Sequence, residues 1–349
     1  MLVSPVCHSE AAGGAERYLN LLYPRLAVQG FTAHLIGTVP GWPLPATPIA
    51  FGPKWSRRST PRELAHVRAE RRAVAAIADD LRPDLFHAQF KREQIGLTDV
   101  LARRAPVLWT EHGRFPGGRF GRGLAVAYRL AARRAAAIVA VSGSVAEEIG
   151  GIVGPRVRIE VVPNAIDTDT VRPATPAQRA AARSALGLSD DVRVVAWVGR
   201  MSEGKRPSLA LETAARLPGV LLMAGSGPLQ AEMHARAAGG PVRVLGHLAD
   251  PSPVYQAADA FLFTSGGAGE GLPYSVLEAA AHDLPIVANA GAGLGDELSG
   301  AAATVVDDSP GALAEALQRA SSDGASRRWA REHDLAPWAA RHAQILRSL

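Results

Sequence analysis

Two carboxylates, Glu270 and Glu278, stand eight positions apart in the stretch SGGAGEGLPYSVLEAAA, residues 265–281. Paired carboxylates raise the question of acid/base chemistry on sugars. Pro273 suits the first turn of a helix, because its missing N–H is an orphan there anyway. Glu270 then falls in a glycine-rich loop before the helix, and Glu278 more than a turn inside it. The backbone around Gly271, Leu272 and Pro273 offers amides to sugar or phosphate oxygens. The plain alternative is a helix with an acidic N-terminal flank.

Other chemistry-bearing residues follow apolar runs. Arg200 ends the run VRVVAWVGR, and Lys205 comes five residues later in GRMSEGKRPSLA. An arginine fork and a lysine point charge flanking one loop suit a diphosphate; a solvated basic loop is the alternative. The run LLMA leads into Gly225-Ser226-Gly227, half of a dinucleotide fingerprint, but Gln230 occupies the third glycine position and weakens an NAD reading. Gly13 and Gly14 precede a helix whose N-terminus favours an anion, although such glycines are usually turns. His112 in WTEHG and His87 in FHAQ follow strands toward the edge where a cleft would lie. Asp167-Thr168-Asp169 resembles a metal-binding triplet, but it sits in a proline-bounded segment without a converging oxygen cage, so no metal is expected. Zinc spacing, a P-loop and a nucleophile elbow are missing.

The elements that must position these residues alternate. Apolar runs at Leu2–Val6, Thr32–Gly37, Leu85–Ala88, Val107–Thr110, Ala137–Val141 and Val157–Val162 read as strands. Helical patterns fill Ala15–Gln29, Pro61–Leu81 and Gly123–Ala136. The alternation restarts after a Pro-rich polar stretch. Strands are expected at Val192–Val198, Val220–Ala224, Val242–Leu245, Ala260–Thr264 and Pro285–Ala288, with helices at Pro207–Arg216, Leu229–Ala237, Pro253–Ala258 and Pro273–His282. Such βαβ order implies α/β architecture, two doubly wound Rossmann-like domains, with ligands beyond the carboxyl ends of the strands. The expected division is residues 1–165, a linker at 166–190, a second domain at 191–334, and a final helical segment at 335–349.

Length and composition agree: 349 residues suit two domains. The chain lacks an apolar run long enough to span a membrane, and its start shows no signal-peptide pattern. A single cysteine, Cys7, excludes an internal disulfide and suits a cytoplasmic setting. Charge is uneven: residues 1–170 carry 22 basic and 15 acidic residues, +7, whereas 171–349 carry 16 and 18, −2. The basic half could meet a nucleotide, an acidic acceptor or a phospholipid surface; solvated arginines on helix faces are the simpler account. Residues 113–134, with Phe115, Phe120 and Tyr128 among arginines, could touch anionic lipid at the inner membrane face or simply feed the next strand. No nucleic-acid partner is expected.

Taken in order, GGAERYLNLL, TEHG, AVSGSVAEE, VVPNAIDTDTVRP, VGRMSEGKRPSLAL, LMAGSGP, VRVLGHLAD and GEGLPYSVLEAAAHDLPIVA resemble the family-4 glycosyltransferases over nearly the whole chain. Those are retaining, nucleotide-sugar-dependent enzymes of the GT-B fold. The resemblance implies roles. Gly13 and Gly14 would lie against the donor diphosphate, and Arg200 and Lys205 would neutralise it. Glu270, with the amides after it, would grip the donor sugar, and Glu278 the ribose. His112 would stand near the donor sugar. Gly225 and Gly227 belong to the donor-binding set, and the loop of Gly246, His247 and Leu248 would line the base. Segment 335–349 would cross back onto the N-terminal domain. The chain departs from the family at His87-Ala88-Gln89, where His-x-His is frequent, and at Arg206, where glycine usually follows the lysine.

The expected reaction is sugar transfer from a nucleoside diphosphate, UDP or GDP, to an acceptor hydroxyl, with no cofactor. Arginine and lysine supply the positive charge that a metal would otherwise bring. In a retaining glycosidase the two carboxylates would face each other about 5 Å apart; here they read as a ruler for a nucleotide sugar. A sugar-nucleotide epimerase or phosphorylase, an NAD-dependent dehydrogenase and an idle nucleotide-sugar binder are the rivals.

Overall fold

The computed structural model describes every residue except 10–12, 50, 53–54, 56–60, 116, 267–269 and 302, and the backbone alone at 61–65. The expectations that touch the loop ahead of Gly13 and the Gly-Ala-Gly of 267–269 lie partly outside the described residues. The chain divides into two compact units, Met1–Asn164 with Leu335–Leu349, and Ala165–Asp334.

The first unit carries β1 (Leu2–His8), β2 (Thr32–Ala33), β3 (Leu35–Thr38), β4 (Ala46–Thr47), β5 (Leu85–Ala88), β6 (Val107–Glu111), β7 (Ala137–Ala140) and β8 (Ile159–Val161). Their order is β4-β3-β1-β5-β6-β7-β8, with β2 also on β1, and the pairs are parallel. The central strands read as unbroken apolar runs because helices cover both faces; β5, β6 and β7 are buried at every residue. Two helices at Lys91–Leu101 and Gly143–Val153 stand where the apolar pattern marks none. The first hides because its inward face is polar: Arg92, Glu93, Gln94 and Thr98 are all buried. The second opens on Ser142, whose hydroxyl accepts the Val145 amide at 3.2 Å. The helix Leu335–Arg347 packs in this unit, where His342 meets Tyr18.

The second unit carries β9 (Val194–Val198), β10 (Val220–Ala224), β11 (Val242–Gly246), β12 (Ala260–Phe263), β13 (Ile286–Asn289) and β14 (Ala303–Val306). Their order, β11-β10-β9-β12-β13-β14, is the doubly wound 3-2-1-4-5-6 sequence. The chain direction of the crossovers reverses between β9 and β12, which makes their carboxyl ends the crevice of this sheet. Residues 166–190, expected as a linker, lie with this unit. The helix Pro176–Ala185 opens on a capping box of Thr175 and Gln178, and the buried Arg183 reaches Asp259 at 3.0 Å and the Ala257 carbonyl at 3.2 Å. The expectation of two parallel-sheet α/β domains therefore holds.

Candidate functional site

At the β9/β12 switch point, four chain segments are tied together. β9 ends ahead of Gly199 and Arg200; Arg200 is exposed and has no ion pair among the described residues. A short 3-10 turn, Glu203–Lys205, then brings Lys205 Nζ to 2.6 Å from Glu270 Oε1. From β12 come Thr264 and Ser265. The Thr264 hydroxyl donates to the Lys205 carbonyl at 2.9 Å and accepts the Trp197 indole N–H at 2.9 Å. The Ser265 hydroxyl lies 2.8 Å from Glu270 Oε1 and 3.1 Å from the Gly204 carbonyl. Asn289, the last residue of β13, accepts the Ser265 amide and donates to its carbonyl, each at 2.8 Å. Thus Lys205 and Glu270, separately marked in the sequence, form one buried-edge ion pair. Its described partners all meet Glu270 at Oε1.

The glycines beside this crevice have a backbone reason. Gly225 and Gly227 adopt φ of +135° and +156°. A Cβ on them would stand 1.9 Å from the Gly199 carbonyl oxygen and 2.4 Å from that of Met201. Only glycine lets the β10 loop run against the β9 loop that carries Arg200. Arg206 sits at φ +48°, ψ +51°, a left-handed position that glycine fills without strain. The glycine that the resemblance implies there would sit without strain, and the guanidinium of Arg206 is held by Asp308. Gly246 also turns at φ +72°, after which His247 is exposed and Leu248 half-buried.

Gly271 and Leu272 are buried, and Pro273 is the N-cap, so the helix begins one residue later than expected, at Tyr274–Ala281. Glu278 lies within it, 8% exposed, and accepts the Tyr255 hydroxyl at Oε2 at 2.7 Å. Tyr255 and Ser265 were invisible as site residues in the sequence, since a tyrosine in a short helix and a serine after a strand carry no spacing signal.

Gly13, Gly14 and His112 belong to the first unit. Gly13 caps the helix Gly14–Val28 in extended geometry, and both glycines are exposed. Glu16 in the first turn already supplies a carboxylate to that helix end. His112 follows β6; its Nε2 lies 2.9 Å from Gln89 Oε1, and the Tyr18 ring meets it edge-on at 5.0 Å. Gln89, at the departure from His-x-His, therefore orients this histidine. His87 does not face a cleft edge as its sequence position suggested. It is fully enclosed between Tyr23, 2.8 Å from Nδ1, and Thr110, 2.7 Å from Nε2, and burial holds its pKa well below the ordinary value. Its polar atoms are satisfied internally, as a core histidine requires.

Two further expectations find their place. Asp167 Oδ1 accepts the amides of Asp169 and Thr170, each at 3.1 Å, an Asx turn that accounts for the acidic triplet locally. In segment 113–134, Phe115 and Tyr128 are core residues, packed on each other at 4.9 Å, with Tyr128 also 4.8 Å from Trp109. They face inward and are not lipid contacts; Val126 and Leu130, one turn apart, are the exposed apolar residues there. No helix among the described residues is long and apolar enough to cross a membrane.

With this geometry in hand, comparison with known proteins is informative. Residues 12–170 match the family described as Glycosyltransferase Family 4, and residues 192–323 match Glycosyl transferases group 1. A stretch of 71 residues is 49% identical to the D-inositol 3-phosphate glycosyltransferases of Mycobacterium bovis (strain BCG / Pasteur 1173P2) and Mycobacterium tuberculosis (strain ATCC 25618 / H37Rv). That match covers 20% of this chain and 14% of those relatives' length. HepE of Anabaena, solved with UDP and glucose, superposes with a TM-score of 0.82 over 99% of both chains at 20% identity. Sucrose-phosphate synthase of Thermosynechococcus elongatus gives 0.82 at 20% identity over 99% of this chain and 98% of that one. At such identities the structural likeness establishes the fold.

Proposed function

Since the chain belongs to the family-4 and group-1 glycosyltransferases, we propose that it transfers a sugar from a nucleoside diphosphate to an acceptor hydroxyl with retention at the anomeric carbon. One observation carries the reading: Lys205 and Glu270 meet at the switch point of the second sheet, in the loop that also presents Arg200, exposed and with no ion pair among the described residues. The bond from the anomeric carbon to the donor phosphate oxygen breaks, and a bond to the acceptor oxygen forms. The acceptor proton passes to the leaving phosphate oxygen on the same face, so no side chain has to serve as base. Arg200 and Lys205 stabilise the charge that grows on that phosphate, and being held beforehand they reorganise little. Glu270 Oε2 takes a donor-sugar hydroxyl, while Glu278, anchored by Tyr255, takes the ribose. His112, held by Gln89, is the first-unit side chain that the family resemblance marks for turnover.

UDP-sugars are the first donors to test, supported by the HepE complexes with UDP and UDP-glucose. The side-chain cations make the reaction metal-independent, so EDTA leaves the rate unchanged. Cys7, buried and in no disulfide, suits a reducing cytoplasm, where we place the reaction. The decisive experiment screens UDP- and GDP-sugars by thermal shift, then assigns the product's anomeric configuration by NMR. A donor at 100 times its Kd raises stability by about 2.7 kcal/mol. Unchanged turnover in both Arg200→Ala and Lys205→Ala, or an inverted product, overturns the proposal.

A further inference from the structure

We infer that the second unit holds, apart from the crevice, a binding site for a phosphorylated small molecule of about hexose-phosphate size, formed by two cavities that share Arg172 and Pro173. Each cavity has a volume of about 340 Å³, within the range of small-molecule pockets. One is cationic and is lined by Arg172, Arg327 and Arg331 with Asp169 as the one carboxylate of its lining. The other is lined by hydroxyls, amides and a histidine: Thr175, Ser252, Gln178, Gln256 and His282. A phosphate suits the first and a polyol body the second.

The cationic part is only partly compensated, by Asp169 and by Asp283, which also accepts the Arg327 amide. Arg327 is held on the carbonyls of Thr168 at 2.6 Å, Val171 at 2.7 Å and Ala281 at 2.9 Å. Arg172 and Arg331 are exposed and have no ion pair among the described residues. Burial first, and then the positive charges of Arg331 and Arg172, lower the pKa of Arg327. Three guanidinium groups against two carboxylates, Asp169 and Asp283, leave an excess of one positive charge, which attracts a phosphate, with the arginine forks as bidentate donors.

The polar part holds a buried histidine with one unpaired nitrogen. His282 is 8% exposed, and its Nδ1 is buried without a hydrogen-bond partner among the described residues. Its ring is stacked on Tyr255, centroids 5.4 Å apart at 13°. Burial keeps the imidazole neutral, with its pKa lowered to about 4. A buried polar atom left unpaired is destabilising; the imidazole also contacts the Arg172 backbone, which ties the histidine to the residue the two cavities share, and Gln178, Gln256, Thr175 and Ser252 offer the polar groups that meet a ligand hydroxyl. The site is distinct from the Lys205–Glu270 pair, since His282 follows the C-terminal end of the helix Tyr274–Ala281, about 12 Å along its axis from the amides at the other end; Tyr255, which stacks on His282 and holds Glu278, links the two.

The test is calorimetric titration of the full chain with glucose 6-phosphate, inorganic phosphate and glucose. Glucose 6-phosphate is expected to bind more tightly than phosphate, and glucose not measurably. The double variant Arg172→Ala/Arg331→Ala, both exposed positions, weakens glucose 6-phosphate about tenfold or more. His282→Phe keeps the ring stack, with folding checked by circular dichroism, and weakens glucose 6-phosphate but not inorganic phosphate. Lys205→Ala leaves binding unchanged, whether or not the chain transfers sugar. Absence of saturable binding, equal affinity for the two phosphates, insensitivity to the double arginine variant, or loss in Lys205→Ala overturns the inference.

Discussion

Three of the chain's 38 basic residues are lysines, and two of them end in closely similar surroundings, one in each unit. In the first unit Lys91 Nζ lies 2.7 Å from Glu111 Oε2, the Tyr128 hydroxyl donates to Glu111 Oε1 at 2.8 Å, and the ammonium stands 4.4 Å from the centre of the Phe115 ring. In the second, Lys205 Nζ lies 2.6 Å from Glu270 Oε1, the Ser265 hydroxyl approaches the same oxygen at 2.8 Å, and the ammonium stands 5.4 Å from Phe263. Lysine, glutamate, hydroxyl and aromatic ring recur. The difference is completeness. Glu111 ends a strand with both oxygens engaged, whereas Glu270 sits in a loop with its described partners all on one oxygen. A carboxylate with both oxygens occupied reads as structure; one whose described partners leave an oxygen open, near an arginine with no ion pair among the described residues, is the one proposed to take a ligand.

This contrast can be broken at several levels. The largest effect is kinetic. Lys205→Ala should lower turnover about 10²–10³-fold, the range for removing one preorganised donor from a developing charge. Lys91→Ala should keep turnover within a few-fold of the native chain, about 1 kcal/mol or less in barrier. Equal losses in a steady-state assay with the cognate donor would erase the distinction.

Acid probes the two units next. His342 in the first and His282 in the second are buried, and desolvation lowers both pKa values to about 4. The unfolded chain binds these protons near pH 6.5, before the folded one does. Stability is therefore complete above about pH 6.5 and falls as pH drops toward 4, by up to roughly 3 kcal/mol per histidine. Urea midpoints between pH 7 and 4 measure the slope, and His342→Gln should flatten it. A slope of the opposite sign would contradict the buried neutral state of these rings.

Stability then ranks the glutamates. Glu111→Gln breaks a pair with little solvent access and should cost about 1–3 kcal/mol by urea denaturation. Glu270→Gln should cost less than that in stability while impairing turnover through donor-sugar positioning. The reverse ranking would make Glu270 the structural carboxylate. The smallest effect belongs to Arg206→Gly. Relief of the left-handed backbone and loss of the Asp308 pair oppose each other, so the change should stay within about 1 kcal/mol. A drop beyond that would mean that the Asp308 contact matters more than the backbone.

Much of the site's order was legible because its residues follow strand ends, and strand ends follow apolar runs. Leu85–Ala88 and Val220–Ala224 were placed to the residue, and the loops after β9, β10 and β12 carried Arg200 with Lys205, Gly225 with Gly227, and Glu270. The helix Lys91–Leu101 was not legible, because its inward face is polar and tied to tertiary partners. Arg92 pairs with Glu70, Gln94 donates to the Thr110 carbonyl at 3.1 Å, and Thr98 accepts the Trp109 indole N–H at 2.9 Å. Hydrophobic periodicity has no means of marking such a face.

By itself, then, the sequence determined the βαβ alternation and the residue types at each strand end, since both follow from local apolar periodicity and turn chemistry. Strand order, and with it the meeting of Lys205 with Glu270 and of Tyr255 with Glu278, was decided by the tertiary structure. Those partners are separated by whole strands and helices, and only the packing of the sheet sets which loops share a crevice. The same packing left Glu270 Oε2 open and His87 closed, a distinction between two chemically capable side chains that depends on burial and partners rather than on residue type.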